Sequence, residues 1–181
     1  MSKNKELFSW VKTIVVAIII AFIIRAFLFT NYIVEGDSML PTMHNGDRLI
    51  VNKIGYKIFK PERFDIVVFH ANENVDYIKR VIGLPGDQIE YKNDILYING
   101  EQYDEPYLDE LKQSFDGLFT YNFTTEEIIG QKTVPENTVF VLGDNRQDSA
   151  DSRIIGVIPY DNIVGEVNIK YWPLSDLHFY H

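Results

Sequence analysis

Residues 64–70 read FDIVVFH and residues 75–82 read VDYIKRVI. Both runs are rich in β-branched and aromatic residues, which suit a pleated, half-buried strand. Alternation along the second run puts Val75, Tyr77, Lys79 and Val81 on one face, with Asp76, Ile78, Arg80 and Ile82 on the other. Lys79 therefore shares an apolar face. A strand lysine is ordinarily a solvated edge charge, but one held on such a face loses hydration, and burial favours its neutral form. A neutral amine near pH 7 can take a proton from a serine hydroxyl without any histidine.

Working outward, further strands are expected at 31–35, 47–53, 86–91, 95–98, 138–142 and 163–172. Lys92-Asn93-Asp94 and Asn99-Gly100 sit where hairpin turns belong, the second being a favoured type I′ pair. The expected fold is mainly β, a domain of short antiparallel strands. One helical turn or two is expected within 105–113. Residues 101–133 are more polar and irregular and read as a small variable insertion. Within them, Asn122-Phe123-Thr124 fits an N-glycosylation pattern that often arises by chance, and it reads here as a surface strand or loop.

Composition narrows the function. The 181 residues include no cysteine, which excludes disulfides, thiol catalysis and cysteine-ligated zinc. Residues 1–29 carry Lys3, Lys5, Lys12 and Arg25 against Glu6, so the acidity behind the net charge of −9 lies in the remainder. A domain that acidic repels polyphosphate, and nucleic acid is not an expected partner.

Ile14 to Ile24 is an unbroken apolar run, and 10–29 together span about 30 Å as a helix, the thickness of a bilayer's hydrocarbon core. Arg25 lies near the far end, where its guanidinium can reach the headgroups. Lysines precede the run, and Thr30 to Gly46 hold only the acids Glu35 and Asp37, which orients the amino terminus to the cytoplasm. A buried core helix is one alternative, because the uninterrupted part is short. A cleavable leader is another, but the run exits through bulky Phe27-Leu28-Phe29 rather than small residues. The expected division is a cytoplasmic 1–9, an anchor at 10–29, a catalytic domain from 30–100 and 134–181, and the insertion at 101–133.

Three segments carry chemistry: Gly36-Asp37-Ser38-Met39-Leu40-Pro41-Thr42, then Tyr77-Ile78-Lys79-Arg80 with Gly83-Leu84-Pro85-Gly86-Asp87, then Gly143-Asp144-Asn145-Arg146 with Ser149-Ala150-Asp151-Ser152-Arg153. Each alone could be a turn, an edge charge or a surface loop. Parity places Tyr32, Val34, Gly36 and Ser38 together, and Gly36 lets another backbone approach closely. His44, His70, His178 and His181 lack metal-ligand spacing, although a Ser-His-Asp arrangement through His70 stays open.

Taken together, in this order and behind an anchor, the segments resemble bacterial type I signal peptidases of the short Gram-positive form. The resemblance implies a mainly β serine endopeptidase that removes signal peptides from exported pre-proteins, with Ser38 as nucleophile and Lys79 as general base. It implies that Ser149 orients the lysine amine, and that Asp144 with Arg80, and Asp151 with Arg153, brace the site. The substrate-binding candidates are Val34, Gly36, Met39, Tyr77 and Ile78. Some family members carry a serine two residues before the nucleophile; Gly36 stands there, so the second oxyanion donor is open between a backbone N–H and water. The expected partners are signal peptides, the lipid bilayer and the translocation machinery, with no metal or organic cofactor. A non-enzymatic peptide-holding module and a Ser-Lys autoprotease are the competing readings.

Overall fold

The computed structural model describes the backbone of residues 3–180, and their side chains except at 3–7, 21–27 and 57–58. Helix α1 (Lys3–Leu28) runs straight into strand β1 (Phe29–Ile33). There follow β2 (Arg48–Asn52), α2 (Gly55–Ile58), β3 (Ile66–Asn72), β4 (Val75–Gly83), β5 (Ile89–Lys92), β6 (Ile95–Ile98) and β7 (Glu101–Tyr103). Next come α3 (Asp109–Ser114), β8 (Phe123–Thr124), α4 (Thr125–Ile129), β9 (Thr138–Leu142) and α5 (Ser152–Ile155). The chain ends with β10 (Ile158–Pro159), β11 (Ile163–Trp172) and β12 (His178–Phe179). Each strand expected from a β-branched or aromatic run is present, offset by three residues at most.

The larger sheet has the order β1-β2-β11-β3-β4-β9-β10, with β12 pairing β11; the smaller has the order β7-β6-β5-β8. Neighbouring strands are antiparallel throughout. The central position of β3 explains its unbroken apolar run. Its alternation sends Ile66 and Val68 into one buried cluster with Val34, Met39 and Leu49, and Val67 and Phe69 into another with Val81 and Val141. A third cluster, built on Ile82, Ile89, Tyr91, Leu96 and Phe140, glues the two sheets together.

Both hairpin turns of the smaller sheet have left-handed backbones, at Asn93 and Asp94 (φ 52° and 64°) and at Asn99 and Gly100 (φ 55° and 84°). The division expected at residue 101 falls inside this sheet, because β6 and β7 pair directly across Asn99-Gly100. Residues 105–113 contain a 3-10 turn at Pro106–Leu108 and then α3. Phe123, read as surface, is buried against Tyr91 and Phe140.

Among the described residues no helix is long and apolar enough to cross a membrane. The span expected at 10–29 lies on α1, falls in part on side chains outside the description, and loses its last residue, because Phe29 already pairs with Asn52. Lys3, Lys5, Glu6 and Arg25, on which the orientation reading rests, lie outside the described side chains. So does most of the 1–9 segment.

Candidate active site

The strand β4 pairs with β3 along its length but with β9 only from Arg80 onward. Residues 75–79 therefore present one edge without a strand partner, and β1, paired only with β2, presents another. Between these edges lies a groove of about 480 Å³. Val34, Gly36, Met39, Tyr77 and Ile78 all line it, and so do Ser38 and Lys79. Val34 and Met39 are almost wholly buried and form its floor. Two unpaired edges facing one cleft can accept an extended peptide by strand addition.

Parity carries Lys79 as the sequence implies: Tyr77 and Val81 pack on the same side, and Lys79 itself is 3% exposed. Parity does not carry Ser38. Gly36 has φ +86°, which turns the chain out of the strand, and Leu40 N and Met43 N close turns on Asp37 O and Met39 O. The nucleophile candidate thus sits on a turn past β1. Lys79 Nζ donates to Ser38 Oγ at 2.8 Å and to Ile78 O at 2.8 Å. The Gly36 N–H is occupied by Asn45 Oδ1 at 3.2 Å, so it is not free to serve as an oxyanion donor.

Burial pushes the Lys79 amine down from 10.5 to about 8, while the carboxylates of Asp151 and Asp144 pull the other way. Removal from water wins, because both carboxylates are themselves neutralised by arginines. Arg80 holds Asp144 through two bonds, Nε to Oδ1 at 2.9 Å and Nη2 to Oδ2 at 2.6 Å. Arg153 holds Asp151 in the same forked way, at 2.8 and 2.7 Å. All four side chains are nearly inaccessible. Breaking one such buried pair strands a charge and typically costs about 3–5 kcal/mol.

These pairs shape the loop that faces Ser38. Asp151 caps α5 and receives the Gly143 N–H at 3.0 Å; Thr42 Oγ1 donates to Asp144. Asn145 N and Nδ2 donate to Ser38 O and Asp37 O at 3.1 and 3.2 Å, tying the loop to the turn that carries Ser38. A side chain at Gly143 would meet Ser149 Oγ and lie 2.5 Å from Ser38 O, so only glycine permits this approach. Ser149 Oγ is buried against that glycine and has no hydrogen-bond partner among the described residues; the two acceptors of Lys79 are Ser38 and Ile78.

The histidine alternative finds no support. His70 Nδ1 lies 2.6 Å from Asp76 Oδ1, but the ring is exposed and Ser38 Oγ is engaged by Lys79. Asp76 instead ties the groove walls together, accepting from Tyr32 OH at 2.7 Å. Partial burial pushes its carboxyl up, but the Tyr32 hydroxyl and the His70 ring outweigh this and hold it below the usual range.

Several residues escaped the sequence reading. Thr42 and Asn145 lie inside quoted motifs but carried no role. Arg146 and Glu105 form a wholly buried ion pair, at 2.6 Å, behind the loop. The arginine was visible in Gly-Asp-Asn-Arg, whereas the glutamate is one acid among many in a polar stretch and gave no signal.

Comparison with known proteins places these features in context. Residues 7–172 match the family model described as signal peptidase, peptidase S26. A signal peptidase I of Bacillus caldolyticus is 54% identical over 165 residues, covering 91% of each chain. A signal peptidase IB of Staphylococcus aureus (strain MRSA252) is 46% identical over 181 residues, covering 97% of this chain and 95% of that one. The crystal structure of a signal peptidase I from Enterococcus faecalis V583 superposes with a TM-score of 0.57 at 43% identity, covering 60% of this chain and 97% of that one.

Proposed function

The chain belongs to the signal peptidase family, peptidase S26, and from that premise we propose that it is a membrane-bound serine endopeptidase removing signal peptides from exported pre-proteins through Ser38 and Lys79. The observation that carries this reading is the 2.8 Å contact between Ser38 Oγ and the buried amine of Lys79. A hydroxyl and a depressed amine within hydrogen-bond reach form a nucleophile–base pair needing no third ionisable group.

In this mechanism the pre-protein lies extended in the groove, and Ser38 Oγ attacks the scissile carbonyl carbon while its proton passes to Lys79 Nζ. The Ser38 N–H supplies one donor to the oxyanion. The intermediate collapses as the Lys79 ammonium returns the proton to the leaving amine, leaving Ser38 acylated. Lys79 then draws a proton from water, which attacks the ester, and the ammonium returns that proton to Ser38 Oγ as the signal peptide leaves. The Asp144–Arg80 and Asp151–Arg153 pairs hold the loop that faces the reaction. Ser149, whose Oγ is buried without a hydrogen-bond partner among the described residues beside Ser38 O, is the proposed acceptor for the Lys79 amine once Ser38 is acylated. The resemblance to the family implies small residues at the first and third positions before the cut, and Val34, Met39, Tyr77 and Ile78 are the candidates to line their subsites.

Helix α1 serves as the anchor in this reading, with its amino terminus cytoplasmic. From Ile14 to Ile20 its side chains are all apolar and, among the described residues, all exposed, as those of a lipid-facing helix would be. From Phe29 to Ser38 is nine residues, at most about 30 Å of chain, which keeps the serine near the outer membrane surface. There the translocation machinery delivers its product. Incubating the detergent-solubilised chain with a pre-protein and weighing both products tests the reading. Cleavage of the pre-protein at one site after small residues is expected; a pre-protein left intact while the enzyme alone is cut, or while nothing is cut, contradicts it.

A further inference from the structure

We propose that Glu105, two residues past β7 of the smaller sheet, is a positioning residue for the catalytic loop, acting through Arg146 on the turn that bears Ser38. The proposal rests on the endopeptidase reading above and adds to it a role for a segment outside the three motifs. Glu105 Oε1 gathers three donors: Arg146 Nη2 at 2.6 Å, Tyr91 OH at 2.7 Å and Tyr107 OH at 2.8 Å. Burial pushes this carboxyl up, but Arg146 and the two hydroxyls outweigh it and keep it charged. Three donors on one oxygen fix the carboxylate, and the carboxylate fixes a guanidinium whose side chain is 0% exposed.

Arg146 belongs to the catalytic loop at its most sensitive place. Its Nε donates to Gly143 O at 3.1 Å, its own carbonyl accepts from Arg153 Nη1 at 2.8 Å, and its neighbour Asn145 holds both Ser38 O and Asp37 O. The same cluster also reaches the other brace, because the Tyr107 ring lies 3.9 Å from the Arg80 guanidinium that grips Asp144. Neither Glu105, Tyr91 nor Tyr107 lines the groove, so none touches substrate. Without the Glu105 charge, Arg146 would be a bare buried cation, and its turn toward solvent would carry Gly143 to Asn145 with it.

The test uses the detergent-solubilised full chain and a pre-protein. Glu105→Gln should lower kcat about tenfold to a hundredfold, the cost of a displacement near 1 Å at a reacting group, with KM within about twofold. The acidic limb of its kcat–pH profile should also move to lower pH, because Asp144 and Asp151, which hold the Lys79 amine up, shift away from it. Simple loss of folded molecules would scale the rate without moving the limb. Glu105→Asp, which keeps the charge, should recover part of kcat. If Glu105→Gln does not fold, Tyr107→Phe decides the matter: it keeps the ring against Arg80, removes one donor, and should show the same limb shift with a smaller loss of kcat. An unmoved limb with wild-type kcat per folded molecule in the variant that folds overturns the proposal. Failure of the endopeptidase reading would look different, since the wild-type chain too would then leave the pre-protein intact.

Discussion

Replacing Ser38 with alanine should lower kcat for pre-protein cleavage by about ten-thousand-fold to a million-fold, with KM nearly unchanged. The hydroxyl is the sole atom lost. The turn that carries it is held by backbone bonds from Leu40, Met43 and Asn145, none of which uses the Ser38 side chain. The groove lining of Val34, Met39 and Ile78 stays in place, so binding should persist. A rate that remains near wild type would mean that another group attacks the carbonyl, and the assignment of Ser38 would fall. Thermal melting of the variant, expected near the wild-type temperature, separates lost chemistry from lost fold.

Replacing Lys79 should be almost as damaging, and the choice of replacement makes the test specific. Lys79→Ala removes the base and should cost about ten-thousand-fold in kcat or more, because nucleophile and base act as a unit. Lys79→Arg keeps a cation of similar length, yet a guanidinium cannot be deprotonated in a protein and so cannot act as base. It should be as inactive as the alanine variant. The double variant Ser38→Ala/Lys79→Ala should be no worse than either single one. Substantial activity in Lys79→Arg would reduce the lysine to a source of positive charge.

The sequence made the place of Lys79 legible because strand alternation is strict. Once VDYIKRVI is a strand, Lys79 must share a face with Tyr77 and Val81, and the structure keeps it there. The same rule failed just past β1. Gly36 bends the chain at φ +86°, and nothing in the run Tyr32 to Ser38 tells a strand that continues from one that turns. Sheet membership was equally hidden. The strands at 89–92 and 95–98 alternate as well as any other, but local pattern does not reveal that they pair with β7 and β8 rather than with β4. Helix α4 was missed in the polar stretch, although Thr124-x-x-Glu127 carries its signal: the two side chains form a reciprocal capping box.

Supporting residues divide along the same line. Asp144, Arg80, Asp151 and Arg153 were reached through motifs, and the structure brings each acid within 3 Å of its arginine. The partner of Arg146 lies 41 residues away in the polar stretch, where a buried acid and a solvated one look alike. Only packing distinguishes them.

The most direct test of the account is the titration of Lys79 itself. The side-chain amine, followed by NMR in detergent-solubilised protein selectively labelled at lysine, should titrate near 8, its position under burial. Because the proposed mechanism needs the neutral amine, kcat/KM, which reports the free enzyme, should rise with pH through the same value. An amine that titrates near the 10.5 of a solvated lysine, with the kcat/KM limb elsewhere, would contradict the account.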